Sequence, residues 1–447
     1  MQRAPTVLRK PPKPTRRRRT RRRRVGRRGR ITFGILAALA LVGGFVLAAR
    51  HPGRVVLPIV GWVAGLLQPN GVGPIVPVVA QEPISILVLS NEVAPQYAGP
   101  QLTDSMMVMT YDPKTRHAAV LSVPRDMWVD VPGHGPQRIN TAYEFGGYKT
   151  VALTVEKYVG VPIEYYAIVN YTAFVDLVDA AGGIQVDVPY AINDACYPNP
   201  QENRCTHFVL SAGVHHLDGA TALEFARERH SFALGDIQRE KDQQLVLLAL
   251  KQQLLKPQNF LKLPKIIGDL SHLVVTDIPY SALPRLAATV LNLPHADIST
   301  AVLDYSNGSV SDYTTGGGAM VLRPHEAAIR KVVTGLFPTM LGELGALDVQ
   351  VENGAPTQQD YATYFSGVLR GMGAATLPPE QAARTDRQNN HVYVNVAAGR
   401  PSPNGSVALG ADIVAHMLGT RVQARSVPGS SANVVVILGK AFPSISP

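Results

Sequence analysis

Residues 31–49 form a run of 19 residues with no charge and almost wholly apolar side chains, long enough as one helix to cross a hydrocarbon layer of about 30 Å. Such a run divides the chain into parts that must fold separately. Ahead of it, residues 1–30 hold 15 Lys and Arg and no acid. Mixed with Pro11, Pro12 and Pro14, these cations repel one another and offer nothing to bury, so they read as a disordered basic tail. Of 43 Lys and Arg, removing those 15 leaves 28 against 33 acidic residues. The formal charge of +10 therefore describes the tail, and the body is mildly acidic.

A cleaved signal peptide is the rival reading of 31–49, but the apolar run is longer than such segments carry and Arg50-His51-Pro52-Gly53 lacks small residues for cleavage. Arginines crowd one side of the run, and only Arg50 and Arg54 follow it closely, which predicts a single-pass cell-membrane protein with a cytoplasmic N-terminus and extracytoplasmic main domains. Residues 55–67, interrupted by Pro58, suit an interfacial segment or packed linker rather than a second span. With the Pro and Gly of 68–77 they make 50–82 an apolar, Pro/Gly-rich linker. Cys196 and Cys205 lie in a polar stretch, 193–207, expected to be a loop. An exported location predicts a disulfide between them, while a zinc site would need ligands that His207, His215 and His216 supply only ambiguously.

Beyond residue 82, short apolar runs at 84–89, 106–111, 118–123, 166–169 and 184–188 read as strands. Helical spacing at 149–159, 172–180 and from Asp236 or Arg239 to 255 separates them, with Gly182-Gly183 as a helix stop and Asp236 as a candidate N-cap. The alternation predicts a three-layer α/β/α domain with a mixed central sheet over 83–340. The pattern restarts with strands at 347–351, 392–396 and 434–438 and helices at 357–372 and 408–418, a small α/β domain over 346–447.

Several residues suit anion chemistry. Arg227 and Arg229 would share a face of an extended chain, and Arg239 and Gln243, at i and i+4, share a helix face. Guanidinium forks bind phosphate oxygens bidentately. Pairing with Glu224, Glu228, Asp236 and Glu240 is the alternative these spacings leave open. Arg125 and Asp126 follow a strand end, where α/β sites gather, and Arg138 sits in a loop before a helix. Glu92 and Asp104 are candidate ligands for Mg2+, or stand as solvated acids.

Ser122 to Asp126, Arg138 to Tyr143, Leu217-Asp218-Gly219 with Ala222-Leu223, Arg227 and Arg229, and Asp236 with Arg239 and Gln243 together resemble the LytR-CpsA-Psr family, in order across 84–255 and on to about 336. Val351-Glu352-Asn353-Gly354 and residues 434–440 resemble its frequent companion, the LytR C-terminal domain. The resemblance implies a membrane-anchored, usually magnesium-dependent phosphotransferase that moves a glycopolymer from a polyprenyl-pyrophosphate carrier to peptidoglycan. It also implies that Arg125, Arg138, Arg227, Arg229, Arg239 and Gln243 contact the pyrophosphate, that Asp104 holds the metal, that Asp126 or Asp236 orients arginines or acts as base, and that an apolar groove takes the lipid. The chain departs from the family pattern at three positions: Glu92 stands where an aspartate is usual, Leu102 replaces an arginine, and Asp242 reverses an arginine's charge near Arg239. These departures leave a non-catalytic binder of lipid-linked glycopolymer or peptidoglycan as the second hypothesis. The basic tail would bind nucleic acid nonspecifically, but no DNA-reading motif accompanies it, so nucleic acid is not an expected partner.

Overall fold

The computed structural model describes residues 83–91, 102–112, 115–199, 204–232, 235–260, 262, 274–279, 298–338, 344–355, 361–383, 385, 387–396, 405–427, 429–440 and 442. The basic tail, the apolar run at 31–49, the linker at 50–82 and Glu92 lie outside these residues. Among the described residues no helix is long and apolar enough to cross a membrane.

Three strands form an antiparallel meander: β1 (Ile84–Asn91), β2 (Ser105–Asp112) and β3 (His117–Ser122). The chain then leaves the sheet as a hairpin of β4 (Trp128–Val131) and β5 (Gly135–Arg138). A 3-10 turn and α1 (Ala142–Val159) lead back to β6 (Tyr165–Asn170), parallel to β1. Helix α2 (Tyr171–Ala180) starts at once, because the Asn170 side chain accepts from the Ala173 N–H at 2.7 Å. It stops at Gly182 and Gly183, whose φ of 81° and 77° suit glycine. Next come β7 (Ile184–Val188), a hairpin of β8 (Ile192–Asn199) and β9 (Arg204–Leu210), and β10 (Gly213–Leu217), which returns to β7.

Helices α3 (Gly219–Arg227), α4 (Gly235–Leu254) and the short α5 (Pro257–Phe260) follow. Strands β11 (Val274–Thr276) and β12 (Ile298–Val302) then complete, among the described residues, a mixed six-stranded sheet of order β11-β6-β1-β2-β3-β12. A hairpin of β13 (Val310–Thr314) and β14 (Met320–Pro324) and helix α6 (Glu326–Leu336) end this part.

Side chains alternate across each strand, so the sheet has two distinct faces. Leu87, Leu89, Met106, Val108 and Leu121 pack with Val151 and Val155 of α1 and Ile329 and Val333 of α6. On the other side α2, α3 and α4 spend their apolar residues, Val178, Phe225, Val246 and Leu250 among them, on a separate cluster with β7, β8 and β9. Because that helical layer packs largely against its own strands, Val88, Ser90, Met107 and Met109 of the sheet look into open space.

A second sheet follows, built from β15 (Asp348–Asn353), α7 (Tyr361–Gly371), β16 (Ala375–Thr376), β17 (Glu380–Gln381), β18 (His391–Asn395), α8 (Gly405–Met417), β19 (Val422–Arg425) and β20 (Val434–Leu438). Its order is β16-β15-β20-β18-β19, with β17 also on β15. Phe365, Val368 and Leu369 of α7 fill its core, which also takes Leu153 of α1. The two helices touch closely: a Cβ on Gly371 would lie 2.8 Å from the Lys157 carbonyl oxygen.

Three expectations need correction. The described residues of 193–207 belong to the paired strands β8 and β9 rather than to a loop, since Ile192, Tyr197, Phe208 and Leu210 turn inward to the cluster they share with α2, α3 and α4 while Asn193, His207 and Val209 face out. Asp236 lies within the first turn of α4 and does not cap it. Helix α1 begins well before residue 149, crossing a kink where Gly146 and Gly147 leave helical geometry.

Candidate functional site

Element ends around the open face deliver charged side chains to one place. Asp104 precedes β2, Arg125 and Asp126 follow β3, Arg138 ends β5, Arg227 ends α3, and the first turns of α4 carry Asp236, Arg239 and Gln243. Asp104, Arg125, Arg227, Arg229, Arg239 and Gln243 line a single cleft of about 780 Å3. Away from them its wall is apolar, with Val88, Met107, Met109, Phe174, Leu247 and Leu250.

The Arg-x-Arg spacing works through a helix end. Arg227 is the last residue of α3, Glu228 turns extended with φ −60° and ψ 134°, and Arg229 follows. Glu228 is fully buried, and with the arginines on either side of it borders the cleft. The Arg227 guanidinium lies 4.5 Å from the Tyr171 ring centroid, a cation–π distance. Arg239 and Gln243 share the cleft-facing side of α4, as their spacing predicts.

Carboxylates hold the guanidiniums in position. One oxygen of Asp236 lies 2.5 Å from Arg239 Nη1, 3.4 Å from Arg125 Nη2 and 3.8 Å from Arg229 Nη1. Burial alone would raise the Asp236 pKa, but Arg239 and Arg125 outweigh it and hold the group below the ordinary carboxylate range. Asp126 bridges Arg125 at 3.8 Å and Arg138 at 3.2 Å. Burial raises its pKa, Arg125 opposes this, and the charge of Asp236 with the hydrogen bond between the two carboxyls leaves it above the ordinary value. Arg125 itself is disfavoured as a cation by burial, yet Asp236, Asp126 and Asp104 raise its pKa.

Asp104 accepts from Arg125 Nη1 at 2.9 Å and from the Tyr171 hydroxyl at 2.8 Å, while its main-chain oxygen accepts from Arg239 Nη2 at 3.1 Å. Gln243 donates to the Ala226 carbonyl at 3.2 Å, which leaves its Oε1 buried and without a hydrogen-bond partner. Arg138 is the exception among the expected anion contacts: it stands behind Asp126 and donates to the Met320 carbonyl at 3.0 Å instead of lining the cleft.

Among the described residues no three His, Cys, Asp or Glu side chains gather as a metal centre. Asp104 faces the cleft, and each of its oxygens has a lone pair beyond the one already used. That suits Mg2+, which takes one or two carboxylates, keeps waters and bridges to substrate phosphates. Cys196 and Cys205 stand across the β8–β9 hairpin at a Cα separation of 4.4 Å, a span a disulfide bridges, and both line the cleft.

Two of the three departures from the family pattern can be located. Leu102 is 39% exposed and lies off the cleft wall. Asp242 does not oppose the arginines: its Oδ1 accepts from the Tyr190 hydroxyl and, at 3.1 Å, from Gln238 Nε2. Burial pushes its pKa up to about 6. Tyr171 was not singled out from the sequence, and Glu240 was named there only as a possible partner of the arginines. Glu240 is fully buried beside Arg239 at 3.4 Å, and burial raises its pKa to about 7 against the pull of that arginine. Tyr171 directly follows the carboxyl end of β6, the position that α/β sites favour, and that is the signal that marks it.

A mixed sheet whose open face meets clustered guanidiniums and an apolar groove defines an α/β domain shaped for an amphipathic anion. The profile of the LytR_cpsA_psr family matches residues 70–335, and the chain belongs to that family. Regulatory protein MsrR of Staphylococcus aureus is 36% identical over 200 residues, covering 45% of this chain and 58% of that one. Polyisoprenyl-teichoic acid–peptidoglycan teichoic acid transferase TagV of Bacillus subtilis is 33% identical over 201 residues, covering 44% and 50%. The chain thus spans about half the length of the curated relatives it matches, 50% to 58%. Among solved structures, B. subtilis TagV aligns with a TM-score of 0.48 at 28% identity, covering 58% of this chain and 98% of that one.

Proposed function

We propose that this chain is a membrane-anchored phosphotransferase that moves a glycopolymer from a polyprenyl-pyrophosphate carrier to peptidoglycan. Residues 31–49 would anchor it, with the N-terminus in the cytoplasm and two extracytoplasmic domains, 83–340 and 346–447. The observation that carries this reading is the cleft itself: Arg125, Arg227, Arg229 and Arg239 at one end and an apolar wall at the other match a ligand with a doubly phosphorylated head and a hydrocarbon tail. The transferase name of the TagV relative supports the same direction.

In this reading an acceptor hydroxyl, on a muramic acid residue, attacks the sugar-side phosphorus and polyprenyl phosphate leaves. The guanidiniums neutralise charge as it builds on the phosphoryl oxygens, and Asp236 keeps three of them aimed at one point. Asp104, with Glu92, would hold Mg2+, which supplies further charge neutralisation on the phosphates. A Cys196–Cys205 disulfide would fix the hairpin that borders the cleft. The second reading, a binder that retains lipid-linked glycopolymer without turnover, rests on Leu102 standing where the family pattern has an arginine.

Incubating the full chain in detergent with a lipid-linked oligosaccharide and peptidoglycan fragments separates the two. A phosphodiester-linked product that depends on magnesium is expected. Retained affinity for the lipid-linked oligosaccharide with no covalent product, with or without magnesium, leaves the binder.

A further inference from the structure

We infer that His230 is the general base of the transfer and that Asp194 positions it, an assignment that rests on the phosphotransfer proposed above. His230 lines the cleft immediately after Arg229. Its Nδ1 lies 2.9 Å from Oδ2 of Asp194, a residue of β8 that is only 6% exposed. The other oxygen of Asp194 accepts from the Cys196 N–H at 2.8 Å, so the hairpin backbone fixes the carboxylate. Beside this pair stands Glu228, fully buried, with Oε1 accepting from the Ser231 N–H at 2.8 Å and Oε2 buried without a hydrogen-bond partner among the described residues.

An imidazole that donates from Nδ1 to a carboxylate keeps its basic lone pair on Nε2, and Nε2 of His230 has no hydrogen-bond partner among the described residues. This is the base-and-orienter arrangement on which nucleophile activation depends. The carboxylates in and around the cleft are worse placed for the task, Glu228 because it is fully buried and already accepts from the Ser231 N–H. An oxygen of Asp236 faces three guanidiniums, Asp126 faces two, and Asp104 already accepts from Arg125 and Tyr171. Close cations weaken Asp236 as a proton acceptor, and the other two are committed to the partners just named. Among these side chains His230 alone combines a cleft position, an orienting carboxylate and a nitrogen left to take a proton.

The proton of the acceptor hydroxyl passes to Nε2 as its oxygen bonds to the sugar-side phosphorus. The bond from that phosphorus to the bridging oxygen breaks, and its electron pair leaves with polyprenyl phosphate. The imidazolium formed is stabilised by Asp194 and returns its proton to solvent after product leaves. A surface His–Asp contact that only ties the hairpin to the α3–α4 connection would look similar at rest, so the test must read chemistry.

The full chain and its His230→Gln and Asp194→Asn variants are assayed for transfer from a lipid-linked oligosaccharide to peptidoglycan fragments, with farnesyl pyrophosphate affinity measured in parallel. His230→Gln is expected to lower kcat by about 10²- to 10⁴-fold, with KM and farnesyl pyrophosphate affinity within about twofold of the parent. Asp194→Asn should lower kcat by about tenfold or more at unchanged KM. A His230→Gln enzyme within about threefold of the parent kcat, or one that loses affinity in proportion to kcat, overturns the assignment while leaving the phosphotransfer reading intact. A parent chain that binds farnesyl pyrophosphate but yields no product removes the phosphotransfer reading, and the assignment falls with it.

Discussion

The two sheets are covered differently, and the difference explains where a ligand can go. In the second sheet every side chain of β20 is buried, with Val434 and Val436 packed under α7 and α8 and with Val435 and Ile437 in a smaller cluster on the opposite face. In the first sheet Leu87 and Leu89 of β1 are fully buried, whereas Val88 and Ser90 look into the cleft. A sheet packed on both faces gains stability and keeps no room. A sheet whose second helical layer packs against its own strands gives up some burial and gains a site.

The largest effect should come from the closed sheet. Phe365 is fully buried there, and Phe365→Ala is expected to cost about 3–5 kcal/mol in urea denaturation. Met109→Ala on the cleft wall should cost about 1 kcal/mol or less, because the side chain already borders open space, and should instead weaken farnesyl pyrophosphate binding. Equal stability losses would erase the distinction between the sheets.

Helix α1 is the wall the two cores share, and Glu156 is buried in it at 1% exposure. Burial pushes its pKa up to about 8 from an ordinary 4.5, although the Ile163 N–H donates to it at 2.8 Å. The folded chain therefore holds a neutral Glu156 at pH values where the unfolded chain holds a carboxylate. Its contribution to stability is complete below about pH 4.5 and is lost as pH rises toward about 8. Glu156→Gln should thus stabilise the chain by roughly 2–3 kcal/mol at pH 7 and change little at pH 4. Parallel stability–pH curves for parent and variant would refute the buried neutral acid.

Arg229 tests the open face. Its side chain is 42% exposed, so Arg229→Ala should leave thermal unfolding in place while transfer falls by about 10²-fold. A change in unfolding temperature with intact transfer would make Arg229 structural.

Much of this was legible before any coordinates. The strands at 184–188 and 434–438 fall where their apolar runs end, because Gly and polar residues punctuate them on both sides. Arg227, Arg229, Arg239 and Gln243 converge because short spacings on helices and at their ends survive tertiary packing. What depends on long-range placement was not legible. Arg138 fell behind Asp126 because the β4–β5 hairpin sets its direction, and Asp194 meets His230 only once the β8–β9 hairpin folds over the α3–α4 connection. The hairpin itself was obscured by the polar and proline residues that decorate its outer face.

Asp242 is where the sequence pointed most directly to a damaged site, and it should give the smallest effect. An acid in place of an arginine near Arg239 predicts repulsion of the pyrophosphate, yet Asp242 turns toward Tyr190 and Gln238 and away from the cleft lining. Asn in its place keeps an oxygen that can accept from Tyr190 and removes a charge that stands off the anion path. Asp242→Asn is therefore expected to change transfer and farnesyl pyrophosphate affinity by less than about twofold at pH 7, a difference below about 0.5 kcal/mol. Isothermal titration and initial rates on parent and variant measure both. A tenfold or larger gain in affinity, about 1.4 kcal/mol, would mean that the carboxylate does repel the ligand and that the open face is less completely cationic than its lining indicates.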